Sequence, residues 1–62
     1  MILEELRIIS KKSKGALTKE DSERCQELIE NHDDDQELNS WLNSNLHPKI
    51  KHFILRRFLK VD

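Results

Sequence analysis

Pro48-Lys49-Ile50-Lys51-His52-Phe53-Ile54-Leu55-Arg56-Arg57-Phe58-Leu59-Lys60 is the stretch that decides the fold. Pro48 suits the first turn of a helix, where its missing N–H costs nothing. Behind it, Ile50, Phe53, Ile54, Phe58 and Val61 recur at helical spacing and share a broad face. Leu55 and Leu59 lie on another side, so the apolar arc exceeds half the circumference. A helix apolar this far round needs cover on two sides. The remaining stripe, Lys49, His52, Arg56 and Lys60, follows i, i+3, i+7, i+11 and is basic.

Reading outward, Asn43-Ser44-Asn45 separates this helix from a shorter one marked by Leu38, Trp41 and Leu42. The triplet Asp33-Asp34-Asp35 precedes it. Its simplest reading is an N-cap at Asp34 with favourable charge at the helix start. A calcium loop would need alternating oxygen ligands and a central Gly, which this stretch lacks. Further back, Thr18-Lys19-Glu20-Asp21 fits a capping box, with the Thr18 hydroxyl accepting from the Asp21 amide. Cys25, Leu28 and Ile29 give the helix that follows a narrow buried stripe. Glu20, Glu23, Glu27 and Glu30 form its acidic flank. In the first helix Ile2, Leu6 and Ile9 share a face, Lys11, Lys12 and Lys14 suit the negative end of the dipole, and Gly15 supplies a positive-φ stop.

The expectation is therefore an all-α fold in one domain over residues 1–62, a small three- or four-helix bundle with helices over roughly 2–13, 19–31, 35–44 and 48–60. Its core should close Ile50, Phe53, Ile54 and Phe58 on Leu6, Ile9, Leu28 and Trp41.

Composition sharpens this. Apolar residues make up 35% of the 62 and charged residues 37%, so the core is thin for its charge. A single Cys excludes an internal disulfide framework and favours a reducing cytoplasm. Acidic residues stand in Met1-Ile2-Leu3-Glu4-Glu5 where a signal peptide is basic, and no apolar run exceeds the length of Phe53-Ile54-Leu55. Net charge is −1 but is strongly partitioned. The two ends are basic, and residues 17–45 carry nine acids against Lys19 and Arg24.

Among function classes, enzyme is the weakest. No nucleophile elbow, Gly-rich phosphate loop or metalloprotease pair occurs, and Cys25, on the Leu28/Ile29 side of its helix, reads as a small buried hydrophobe. Cys25, His32, His47 and His52 are able to hold zinc, but with six, fourteen and four residues between them they match no finger or knuckle. Neither a metal nor another cofactor is expected.

Nucleic-acid binding, the alternative reading, would use Lys49, His52, Arg56 and Lys60, with Lys51 and Arg57 nearby. Against it stand a pI near 6.3 and the central acids. The favoured class is protein–protein contact by a small regulator, inhibitor or immunity-type protein, with a homodimer as one form. Ile8, Leu55, Phe58 and Leu59 are its expected apolar contacts, and Arg56 and Lys60 its rim. Size and Lys/Asn/Asp-rich usage fit a phage or mobile-element source, and no membrane partner is expected.

The segment from Leu6-Arg7-Ile8-Ile9 through Gly15-Ala16-Leu17-Thr18-Lys19-Glu20-Asp21 resembles the helix–G-x-L-T-x-E-(E/D)–helix opening of bacterial anti-sigma domains, and Leu28-Ile29 and Asp33-Asp34 extend the likeness to about half the chain. Zinc-type members carry a His and two Cys that this chain lacks, so no residue role transfers. What the resemblance implies is a small helical regulator that masks a larger protein.

Overall fold

The computed structural model describes residues 2–59 and contains four helices: α1 (Ile2–Lys12), α2 (Lys19–Glu30), α3 (Asp35–Trp41) and α4 (Pro48–Phe58). No strand occurs among the described residues. Three starts form where local chemistry places them. Thr18 accepts from the Asp21 amide at 3.1 Å, Asp34 accepts from the Glu37 amide at 3.1 Å, and Pro48 occupies the first turn of α4.

The ends differ from expectation, each for a physical reason. α3 stops at Trp41 because the Leu42, Asn43 and Ser44 amides turn to carbonyls three residues back, tightening the chain out of the α-helix. α1 ends at Lys12, and Gly15 does not adopt positive φ, so no glycine cap closes it. Residues 14–16 form an open bend instead, and Gly15 serves through its carbonyl, as described below. α2 ends at Glu30 and α4 at Phe58, with Leu59 in a turn; Lys60 and Val61 lie outside the described residues.

The core comprises Leu6, Ile9, Cys25, Ile29, Leu38, Trp41, Leu46, Ile50, Phe53 and Ile54, all buried. Two expected members fall short. Leu28 is half-buried, its place beside α4 taken by Cys25 and Ile29, and Phe58 is exposed because α4 ends there, past the last turn of α2. Leu46 was not expected: a lone apolar residue in a loop has no periodic partner to announce it.

α2 and α4 form the main packing pair and run in the same direction. At one end Arg57 reaches the Ile29 carbonyl, and at the other Ser22 lines a hollow with Lys49 and His52. α1 runs opposite to both, its last turn meeting the start of α4 through Ser10 and His47. The Cα radius of gyration is 10.8 Å, close to the roughly 10.6 Å expected of a folded chain this long.

Candidate interaction surface

Three polar contacts hold the helices together, and two of them fix α4 and so decide what it shows to solvent. The first is at its start. The His47 amide donates to Ser10 Oγ at 2.9 Å, and that hydroxyl donates to the Leu6 carbonyl at 2.8 Å. His47 Nδ1 accepts from the Lys49 amide at 3.0 Å, which makes the side chain the N-cap. Nε2 must then carry the proton, and it donates to the Gly15 carbonyl at 2.5 Å. One imidazole thus starts α4 and ties it to the loop between α1 and α2.

The second contact is Arg57, which donates to the Ile29 carbonyl at the end of α2 and pairs with Asp35 at 3.1 Å. It closes α2, α3 and α4 together, where a cation suits the carbonyl end of α2. The sequence reading placed Arg57 beside a phosphate-tracking stripe. The signal for its real role was present: Arg57 follows Ile50 by seven and Phe53 by four, a core-facing position at which a cation needs an internal partner.

The third lies on the other side of the core. Arg24 grips Glu5 of α1 at 2.7 and 3.4 Å and meets Glu27 at 3.0 Å. The guanidinium hydrogen bond holds the Glu5 carboxyl below its usual range, and Glu5 in turn raises Arg24. Lys12 and Asp21 make a second α1–α2 pair at 3.4 Å.

These contacts sort the expected interface residues. Ile8, Leu55, Phe58 and Leu59 are the large exposed hydrophobics among the described residues, at 59%, 44%, 39% and 67% exposure. They do not form one patch. Ile8 follows Glu5 by three and precedes Lys12 by four, so it sits on the α1 flank whose ion pairs face α2. Leu55, Phe58 and Leu59 stand together at i, i+3, i+4 on the last turns of α4, with Arg56 exposed beside them. Lys60, the other expected rim residue, lies outside the described residues.

Lys49, His52 and Arg56 are exposed on α4, and the Lys49 ammonium lies 5.4 Å from the centre of the Phe53 ring. An open groove between α2 and α4 is lined by Gln26, Ile29, Glu30, Phe53, Arg56 and Arg57. Among the described residues, no ion pair joins the acidic flank of α2 to the basic stripe of α4.

The metal-capable residues stand apart. Cys25 is fully buried in the core, and burial, with Asp21 and Glu5 adding to it, pushes its thiol up to about 11. His47 has both ring nitrogens engaged, and His52 is exposed on α4. The His32 ring lies 4.8 Å from that of Trp41. Its Nε2 is 2.8 Å from Glu37 Oε1 but is not aligned for a hydrogen bond. No group of three potential metal ligands occurs among the described residues, and no described helix is long and apolar enough to cross a membrane.

Compared with protein-family models, curated proteins and solved structures, the chain matches none. The likeness of residues 6–21 to anti-sigma openings rests on the Thr18 cap and its acidic first turn, which are general helix chemistry.

Proposed function

We propose that this chain is a small, non-enzymatic protein-interaction module, a regulator or inhibitor that works by masking a partner. The observation that carries the reading is the cluster Leu55, Phe58 and Leu59 at the end of α4. These are three adjacent large apolar side chains left in solvent by a domain whose core is otherwise closed. Contiguous exposed apolar surface marks contact sites in proteins, whereas scattered single residues need no explanation. Arg56 beside the cluster gives it a charged rim, as interfaces have. Ile8, on the α1 flank, belongs to a separate surface. The buried, protonated Cys25 supports the non-enzymatic reading, since the thiolate is the nucleophile.

The test is Leu55→Asp with Leu59→Asp, two exposed positions whose change leaves the core intact. Helicity by circular dichroism should hold while self-association or partner capture is lost. Unchanged sedimentation and unchanged captured partners would sink the proposal.

The exposed Lys49, His52 and Arg56 favour a second reading, a nucleic-acid accessory protein using that stripe with Lys60. It predicts affinity that falls steeply with salt, and a slope flattened by Arg56→Ala. Absence of DNA or RNA binding at low salt removes it.

A further inference from the structure

We infer that the partner of the α4 surface is a second copy of this chain, docked so that the acidic flank of each α2 lies against the basic stripe of the other copy's α4. The inference rests on the protein-interaction reading and names its occupant.

α2 and α4 are neighbours running in one direction, and beside the groove between them the exposed side of α2 is mainly acidic while that of α4 is basic. On α2, Glu23 and Glu30 flank the groove residue Gln26 by three and four positions and are exposed; the exposed Lys19 opens the same side, Glu20 lies beside it, and Glu27 is turned toward Arg24, with which it pairs at 3.0 Å. On α4, Lys49 and Arg56 flank the groove residue Phe53 in the same way, with His52 next to them, and these are exposed too. α4 carries no acid between Pro48 and Phe58. Solvent therefore sees one face with a groove down its middle, acidic on one bank and basic on the other.

Such a face is complementary to itself under one operation, a two-fold axis running parallel to α2 and α4. That rotation lays each acidic bank over the partner's basic bank and makes both contacts equivalent, as an isologous dimer requires. It also fixes the register, because it allows no slide along the helices. Ser22 is level with Lys49 and His52, and Glu30 is level with Arg56 and Arg57. Glu23 then meets the level of Lys49 and His52 in the partner, and Glu30 meets Arg56. Glu20 to Glu30 rises about 15 Å and Lys49 to Arg56 about 10 Å, so the stripes are of comparable length. Leu55 and Leu59 follow His52 by three and seven, so they border the basic stripe on its far side from the groove residue Phe53. They supply apolar area that exposed ion pairs, worth little singly, do not.

The experiment is sedimentation equilibrium of the full chain at about 50 mM and about 500 mM salt, where screening shortens from over 10 Å to a few ångströms. Two charge-reversed variants, Glu23→Lys/Glu30→Lys and Lys49→Glu/Arg56→Glu, are run alone and mixed, with helicity checked for each. The expected result is a dimer at low salt whose dissociation constant rises at least tenfold at high salt. Each variant alone should be monomeric, and an equimolar mixture should recover the dimer mass. A wild-type chain that stays monomeric at low salt, variants that dimerise like wild type, or a mixture that remains monomeric overturns the inference. Should a double reversal lose helicity, the wild-type salt series decides: dimer mass insensitive to salt refutes charge pairing. Failure here, with partner capture still lost in the Leu55/Leu59 variant, leaves the protein-interaction reading standing with a different partner. Failure of both removes that reading.

Discussion

Replacing His47 with Ala tests how α4 is held in place. The substitution removes two hydrogen bonds and keeps a third, because the His47 amide still donates to Ser10 Oγ. Loss of the N-cap acceptor for the Lys49 amide costs about 1 kcal/mol, within the range seen when capping side chains are truncated. Loss of the link to the exposed Gly15 carbonyl adds about 0.5 kcal/mol, the low end for a hydrogen bond, because water replaces the donor there. The sum, about 1.5 kcal/mol, stands against a total stability of about 3–9 kcal/mol for 62 residues. In a domain this small that lowers Tm by about 6–12 °C. His47→Asn separates the two parts, since its short side chain caps the helix but does not reach Gly15, and it should recover about two thirds of the loss. Urea unfolding followed at 222 nm for the three chains gives the answer. A His47→Ala chain within 0.3 kcal/mol of wild type, or an Asn variant no better than Ala, would refute the reasoning.

Other outcomes follow from the same contacts. Arg57→Ala should destabilise by about 1–3 kcal/mol in chemical denaturation, since it removes a charged donor from a helix-end carbonyl and frees α2, α3 and α4 from one another. Leu38→Ala should cost about 2–5 kcal/mol, enough to leave much of the chain unfolded by circular dichroism at 37 °C. Glu5 has a depressed folded-state pKa, so its contribution is present above the ordinary carboxylate range and is lost as pH falls through the lowered value. Arg24→Ala should therefore flatten the acid side of the stability–pH curve. Cys25 is raised from 9.0 to about 11, so its protonated burial stabilises fully below pH 9.0 and is lost as pH rises toward 11. At pH 8 its alkylation should be slow in the folded chain and fast in urea.

What the amino-acid sequence disclosed was whatever local chemistry decides. Thr18 and Asp34 each start a helix through a bond reaching three residues, Pro48 does so through its fixed φ and missing N–H, and all three starts were readable. The exposure of Leu55 and Leu59 was readable too, because periodicity sets them off the face of Ile50, Phe53 and Ile54; Phe58 shares that face by spacing and is exposed because α4 ends there. Long-range partners were hidden. Arg57 bonds to a carbonyl 28 residues away and His47 to one 32 residues away, and nothing near either residue names those atoms. Gly15 misled for the same reason: the loop's course is set by His47 rather than by the glycine's freedom. Separating Ile8 from Leu55 and Leu59 requires knowing which flank of α1 faces α2, which the Glu5–Arg24 and Lys12–Asp21 pairs determine.

The central claim is that the outward end of α4 is where this protein meets another protein. Its most direct test is sedimentation velocity of the fluorescently labelled chain in an extract of its native host, wild type beside Leu55→Asp/Leu59→Asp. The account predicts that the wild-type chain sediments faster than a 7.4 kDa monomer and that the variant, equally helical, returns to the monomer boundary. Identical boundaries for the two chains would contradict it.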